Sequence, residues 1–287
     1  MSPFPRHFFV KIKYINNIMS RRLICHPKKK TKKFCISDDT ILKIKDKWNN
    51  NNRKKIYENN PYEISEKLLE LNNCKHEKCL LDILLKDDIN LYNNELKNFA
   101  PFAPSSWRQN NKQWLTTMDI KNVMVQYQES TPSFEFIGPS PIDWYYKKNT
   151  NCVCNNLCNL DLNEKKEKGI EKIGIIFNTD EHYKIGEHWV SLLINIPEKK
   201  IYYYDSEGFR CPTRIKKIYH MLNKNNDLKF ISNYNVIHQK KNGNCGIYCI
   251  FFLTYMIKNN DYSLFTKKSS ILGDKKMTQK RKKYYNY

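Results

Sequence analysis

From Trp107 onward the apolar positions follow two rhythms, recurrences every three to four residues and short continuous runs rich in Ile, Val and Tyr that end at turn residues. The first rhythm predicts helices and the second predicts buried strands. The predicted order is a helix over 116–129, strands near 134–138, 173–178, 188–196 and 200–205, a helix over 213–223, a strand over 233–238 and a helix over 245–258. Residues 273–281 add a final helix. Strands and helices mixed in this order make an α+β fold. Upstream, Ile64, Leu68 and Leu71, then Leu80, Leu81, Ile83, Leu84 and Leu85, keep helical spacing on either side of Asn72-Asn73-Cys74, which predicts a small helical element over 56–104. Residues 1–55 show no such pattern. They read as a disordered, Asn- and Lys-rich leader with Asn49-Asn50-Asn51-Asn52 as a low-complexity linker, and Met19 before Ser20-Arg21-Arg22 as an internal start. That leaves 105–287 as the main domain.

Composition changes the picture mainly at the ends. The 287 residues, 40% hydrophobic and 13% aromatic, suffice for a full core. The net charge is +21, but 1–55 hold 16 basic and 3 acidic residues, 267–287 hold 8 and 1, and the body between is nearly neutral, with 26 against 25. The basic strings are Arg21-Arg22, the stretch 27–33 and Lys280-Arg281-Lys282-Lys283. Such runs bind nucleic acid or another polyanion by counterion release, and the stretch 27–33 is also similar to a nuclear-localisation signal. Their plainer alternative is a solvated arm.

Ten cysteines at irregular spacing, behind a Phe8-Phe9-Val10 patch too short for a signal peptide, are expected to stay reduced in an intracellular setting. No apolar run reaches the roughly 18 residues of a membrane span. Cys152, Cys154 and Cys158, or Cys74, His76 and Cys79, have the residue types of a metal site, but neither group has a second pair at zinc spacing. No metal and no cofactor are expected.

The chemistry concentrates in one stretch. Cys245 lies in the turn cluster Asn242-Gly243-Asn244-Cys245-Gly246 and opens a long apolar run, which places it at a helix N-terminus. There the helix dipole and a nearby imidazolium can bring a thiol pKa from about 8.5 into the range of roughly 3.5–7.5. Gly246 leaves room beside the sulfur for a substrate backbone. His188 opens the apolar run 188–196, Pro197-Glu198-Lys199-Lys200 reads as a turn, and Ile201-Tyr202-Tyr203-Tyr204 returns antiparallel to Asp205. The start of one strand and the end of the next lie at the same end of a hairpin, so Asp205 can orient His188. Gln239, six positions before Cys245, can join the Cys245 N–H in stabilising an oxyanion. Nucleophile, base, orienting carboxylate and oxyanion donor are then all present.

His188-Trp189, Asp205 seventeen residues on, and Gln239 six before Cys245-Gly246 together resemble the adenain and SUMO-protease clan of cysteine peptidases. Within that clan the chain is most similar to the polyprotein-processing proteases of large cytoplasmic DNA viruses, of the African swine fever virus type. The likeness runs over about 105–287, through Trp114-Leu115-Thr116-Thr117-Met118-Asp119-Ile120, Phe136-Ile137-Gly138-Pro139-Ser140-Pro141-Ile142-Asp143, Ile175-Ile176-Phe177-Asn178-Thr179-Asp180 and His238-Gln239. It implies a mixed β-sheet with flanking helices, the nucleophile on a helix and the base on a strand. It also implies His188, Asp205 and Cys245 as catalytic residues, Gln239 in the oxyanion hole, and Trp189 with Gly246 at the substrate. It implies, too, cleavage after small residues at Gly-Gly-X or Gly-X sites, which in that clan pass between aromatic walls such as Trp189. The task implied is processing of viral structural polyproteins in the host cytoplasm and virion, with the 56–104 element selecting substrate. The alternatives are removal of a ubiquitin-like modifier and, from another class, an idle basic core protein that binds DNA.

Overall fold

The computed structural model describes residues 22–29, 34–241 and 243–287. Met19, Arg21, Phe8-Phe9-Val10, the lysines of 30–33 and Asn242 lie outside the described residues. Two compact units divide the chain. One contains Ile36–Leu96, and the other joins Ile24–Cys35 to Lys97–Tyr287.

The first unit carries four helices, α1 (Asp38–Asn51), α2 (Pro61–Leu71), α3 (Glu77–Leu84) and α4 (Ile89–Leu96). Helix α1 corrects the expectation of a disordered leader reaching residue 55. Ser37 caps it by accepting from Thr40 N–H, and Ile41 and Ile44 are fully buried. Glu95 adds a buried polar anchor, accepting from Ser37 N–H at 2.8 Å, Ser37 Oγ at 2.6 Å and Thr40 Oγ1 at 2.7 Å. The run of asparagines is the C-terminal turn of this helix, and Asn49 fixes the following chain by bonding both ways to the Ile56 backbone.

The second unit is built on a five-stranded sheet and a small hairpin. In chain order the strands are β1 (Phe134–Pro141), β2 (Lys147–Lys148), β3 (Asn151–Cys152), β4 (Lys172–Asn178), β5 (Trp189–Asn195), β6 (Lys200–Tyr204) and β7 (Lys229–Ser232). The main sheet runs β1-β4-β5-β6-β7, with β1 parallel to β4, β5 antiparallel to both neighbours and β7 parallel to β6. Helices α5 (Thr117–Ser130), α6 (Asn155–Cys158), α7 (Leu162–Glu167), α8 (Thr213–Asn223), α9 (Cys245–Asn259), α10 (Ser263–Thr266) and α11 (Asp274–Tyr284) complete it. This is the expected α+β architecture with a mixed sheet and flanking helices.

Strand β5 is buried along its whole length because both of its faces are covered. Trp189 and Leu193 join the core formed with α5 and α9, while Val190, Leu192 and Ile194 join the core on the α8 face. The period-two alternation thus distributes one apolar run between two cores. Helix α9 packs lengthwise under β5 and is apolar all round, with Ile247, Tyr248, Cys249, Ile250, Phe252, Leu253 and Met256 inaccessible.

Two further expectations need correcting. The strand expected over 233–238 is displaced, since the pairing segment is β7, whose Lys229 stands opposite Lys200 of β6. Residues 233–238 instead form a loop, because the Asn233 side chain bonds to backbone and ends the ladder. The ten cysteines are also not all reduced: Cys25–Cys35, Cys74–Cys79 and Cys152–Cys158 are disulfides. Their short loops bring the paired Cα atoms to 5.1, 5.6 and 6.5 Å, within bonding range, and take up both thiols of the Cys74 cluster and two of the three in the Cys152 cluster. Cys154, Cys211, Cys245 and Cys249 are free. Among the described residues no three His, Cys, Asp or Glu side chains gather as a metal site, and no helix is long and apolar enough to cross a membrane.

Candidate active site

The β5–β6 hairpin places its candidates as expected. Ser191 stands opposite Tyr204, so the residue just before β5 and the one just after β6 leave the sheet side by side. His188 Nε2 lies 2.9 Å from Asp205 Oδ1, the His188 side chain 17% exposed and that of Asp205 only 3%. The other ring nitrogen, Nδ1, is left free of Asp205, and the neighbouring Cys245 acts on the same imidazole electrostatically. Burial alone would lower the His188 pKa, but the interactions with Asp205 and Cys245 outweigh it and raise the value to about 10.

Cys245 begins α9. Its N-cap, Asn244, makes no side-chain cap bond, and its amide reaches instead toward Thr278 Oγ1 at 3.3 Å. The first N–H groups of a helix have no intrahelical acceptor, so the end that carries the sulfur is a ready anion site. The other nearby thiols are unsuited to attack. Burial drives Cys249, one turn on, far above the usual thiol range and pushes Cys211 up to about 12.

Gln239 is held beside this helix end. The carbonyl of His238, its neighbour, accepts from Tyr248 Oη at 2.9 Å, three residues past the sulfur. The Gln239 N–H donates to Ser206 O at 2.8 Å. His238 is buried and serves the scaffold, since Nδ1 accepts from Leu272 N–H and Nε2 donates to Phe265 O, the neutral tautomer that burial favours by lowering its pKa.

Sequence reasoning missed several residues that build the site. Asn233, fully buried, accepts from Asp205 N–H at 2.9 Å and donates to Asp205 O at 2.7 Å, bracketing the peptide that carries the carboxylate. It stood in a run read as strand, and the one signal was a short polar residue interrupting apolar neighbours. Leu115 O accepts from the Trp189 indole at 3.0 Å, which fixes the ring next to His188. Gly246 needs correcting, because a Cβ there would lie 3.0 Å from Leu115 Cδ1. The glycine allows helix and loop to close on each other, and the space its missing side chain leaves is taken by Leu115. Gly243, at φ +108°, likewise lies where a Cβ would be 2.3 Å from Lys112 O.

Arg281 anchors the same loop from α11. It is inaccessible to solvent, stacks 4.1 Å from the Trp107 ring, and donates to the carbonyls of Asn111 and Gln113. Replacing Arg281 with alanine should destabilise the protein by about 3 kcal/mol, since two carbonyls lose a charged donor and a cavity opens. Urea unfolding followed by Trp fluorescence measures this, and an unchanged midpoint would contradict it.

A cleft of about 460 Å³ next to the site is lined by Trp189, Trp114, Asn178, Gly186, Asp180 and His182 among others. A sulfur at a helix N-terminus and, acting on it, an imidazole hydrogen-bonded to a buried carboxylate are the working arrangement of a cysteine peptidase.

The comparisons agree. The profile of the Ulp1 protease family, C-terminal catalytic domain, matches residues 115–287, and the chain belongs to that family of cysteine peptidases. A protein of Acanthamoeba polyphaga mimivirus, named provisionally as a thiol protease, is 31% identical over 159 residues, covering 52% of this chain and 50% of that one. The chain therefore spans about half the length of that relative. The crystal structure of the African swine fever virus protease superposes with a TM-score of 0.67 at 19% identity, over 94% of this chain and 98% of that one. The C-terminal Ulp1 protease domain, solved in complex with Smt3, the yeast orthologue of SUMO, gives 0.40 at 20% identity, over 60% and 75%.

Proposed function

We propose that Cys245, His188 and Asp205 form the catalytic triad of an endopeptidase that cuts after small residues and matures viral structural polyproteins. The observation that carries the triad is the 2.9 Å pair of His188 and Asp205, with the sulfur that starts α9 close enough to raise the same imidazole's pKa. Cys245 attacks the scissile carbonyl as thiolate, its proton residing on His188. The oxyanion accepts from Cys245 N–H and the Gln239 amide. Collapse breaks the C–N bond as His188 gives its proton to the leaving amine, and a water activated by the now neutral His188 hydrolyses the thioester. Asp205 holds the imidazole in register throughout.

Small residues before the cut, of the Gly-Gly-X kind, suit a cleft bounded by Trp114 and Trp189, where side chains would meet aromatic walls. Both relatives are viral proteases, and polyprotein processing is the task such a protease would serve. The basic ends supply the second part of the proposal, retention on nucleic acid within the host cell or particle. Of the C-terminal string, Arg281 is buried and Lys280 sits over the Phe251 ring at 4.6 Å, whereas Lys282 and Lys283 are exposed. Low-salt DNA retention unchanged on replacing Lys28, Lys29, Lys30, Lys32 and Lys33 with glutamine would remove that part.

A peptide set with Gly-Gly-X and Gly-X-Gly-X sites, assayed beside a ubiquitin-like conjugate, separates the two substrate classes. Cleavage of the peptides with the conjugate untouched is expected. Preference for the conjugate would replace polyprotein processing with deconjugation, and cleavage of neither would favour an idle binding protein.

A further inference from the structure

We infer, building on the oxyanion role proposed for Gln239, that Ser206 is the positioning residue that decides which end of the Gln239 amide faces the reacting carbonyl. A glutamine amide has two opposite ends, a donor nitrogen and an acceptor oxygen, related by a half-turn of the terminal torsion. Only the nitrogen end stabilises an oxyanion. With the oxygen turned inward, the same side chain would repel the developing charge.

Ser206 is fully buried and touches Gln239 at two points and its neighbour His238 at a third. Its carbonyl accepts from Gln239 N–H at 2.8 Å and from His238 N–H at 2.9 Å, which pins the backbone. Its hydroxyl donates to Gln239 Oε1 at 3.1 Å, which occupies the acceptor end. Nε2 is thereby turned the other way, where it makes a marginal 3.5 Å approach to Glu207 Oε1. A carboxylate only accepts, so this contact marks the nitrogen end in the resting site.

The placement also explains why Asp205 and Ser206 adjoin. Asn233 clamps Asp205 at both its N–H and its carbonyl, and the loop 205–208 is knitted further to 233–239 by Asn235 N–H donating to Gly208 O at 2.9 Å. One rigid dipeptide therefore sets both halves of the chemistry. Asp205 orients the base, and Ser206 orients the donor to the oxyanion.

The test is a double-mutant cycle on peptide hydrolysis in the full chain, using S206A, Q239A and the pair, with kcat, KM and Tm measured for each. Q239A should lower kcat by roughly 10²–10³-fold. S206A should lower kcat by about tenfold, one hydrogen bond's worth of order, with KM and Tm little changed. In the Q239A background, S206A should cost nothing more, and S206T, which keeps the hydroxyl, should keep kcat. If S206A folds poorly, S206C, close in size but a weaker donor, carries the same expectations.

An S206A loss that persists undiminished beside Q239A, or no loss at all while Q239A is impaired, would overturn the inference and leave the oxyanion role standing. A Q239A enzyme with full kcat would overturn the oxyanion role itself.

Discussion

Replacing Cys245 with alanine is expected to abolish peptide hydrolysis, a loss of roughly 10⁴- to 10⁶-fold, while the protein still unfolds cooperatively near the wild-type midpoint. The size follows from chemistry. Without the sulfur no thioester forms, and what remains is the binding and oxyanion stabilisation that the rest of the site supplies. The fold should tolerate the change because one buried sulfur atom is lost at a helix end, next to a glycine already packed on Leu115. Cys249→Ala is the matched control. That thiol lies one turn further along the same helix, fully buried and held protonated by its surroundings, and behaves as a small hydrophobe, so activity should persist. Hydrolysis surviving in Cys245→Ala but lost in Cys249→Ala would move the nucleophile.

Removing the base should cost nearly as much. His188→Ala is expected to lower kcat by about 10⁴-fold, the upper range for a general acid–base group, because the leaving amine loses its proton donor and the sulfur loses its cationic partner. The wild-type enzyme should show the same dependence against pH. The form that donates to the amine is the protonated imidazole. The interactions with Asp205 and Cys245 raise its pKa to about 10, so the proton is in place throughout the neutral range and is lost as the pH climbs through about 10. kcat/KM should therefore hold on the alkaline side of neutrality and fall only near pH 10. Asp205→Asn should move that fall toward lower pH, because a neutral amide stabilises the imidazolium less. A limb near the ordinary imidazole value of about 6.5 in the wild type would show that the pair does not hold the proton.

Much of this site could be read from the chain because the residues that matter follow simple geometry. A hairpin brings the start of one strand to the end of the next, so His188 and Asp205 had to meet once β5 and β6 paired. An apolar run behind a Gly-Asn turn had to begin a helix at Cys245. Helix α8 has the expected bounds of 213–223, since its buried Ile215, Ile218 and Leu222 follow helical spacing and Pro212 stands at its start.

What escaped depends on contacts between distant segments. Helix α1 was hidden by its asparagines, which read as linker until Ile41 and Ile44 are seen buried behind the Ser37 cap. Strand β7 was displaced toward 233–238 because Val236 and Ile237 look like strand residues, whereas Asn233 stops the ladder to hold Asp205. The disulfides follow from which cysteines the loops bring within range, and irregular spacing does not disclose that. Gly246 looked like room for a ligand, but its neighbour is Leu115, more than a hundred residues earlier in the chain. Arg281 looked like one more charge in a basic tail, although it stacks on Trp107 in the interior.

The central claim is that Cys245 alone among the free thiols is the nucleophile of a peptidase site. Incubating the native chain with a Gly-Gly vinyl sulfone and locating the adduct by peptide mass mapping tests it most directly. A single adduct on Cys245, lost in His188→Ala and after denaturation, is the result expected. An adduct on Cys154, Cys211 or Cys249, or equal labelling of native and unfolded protein, would contradict it.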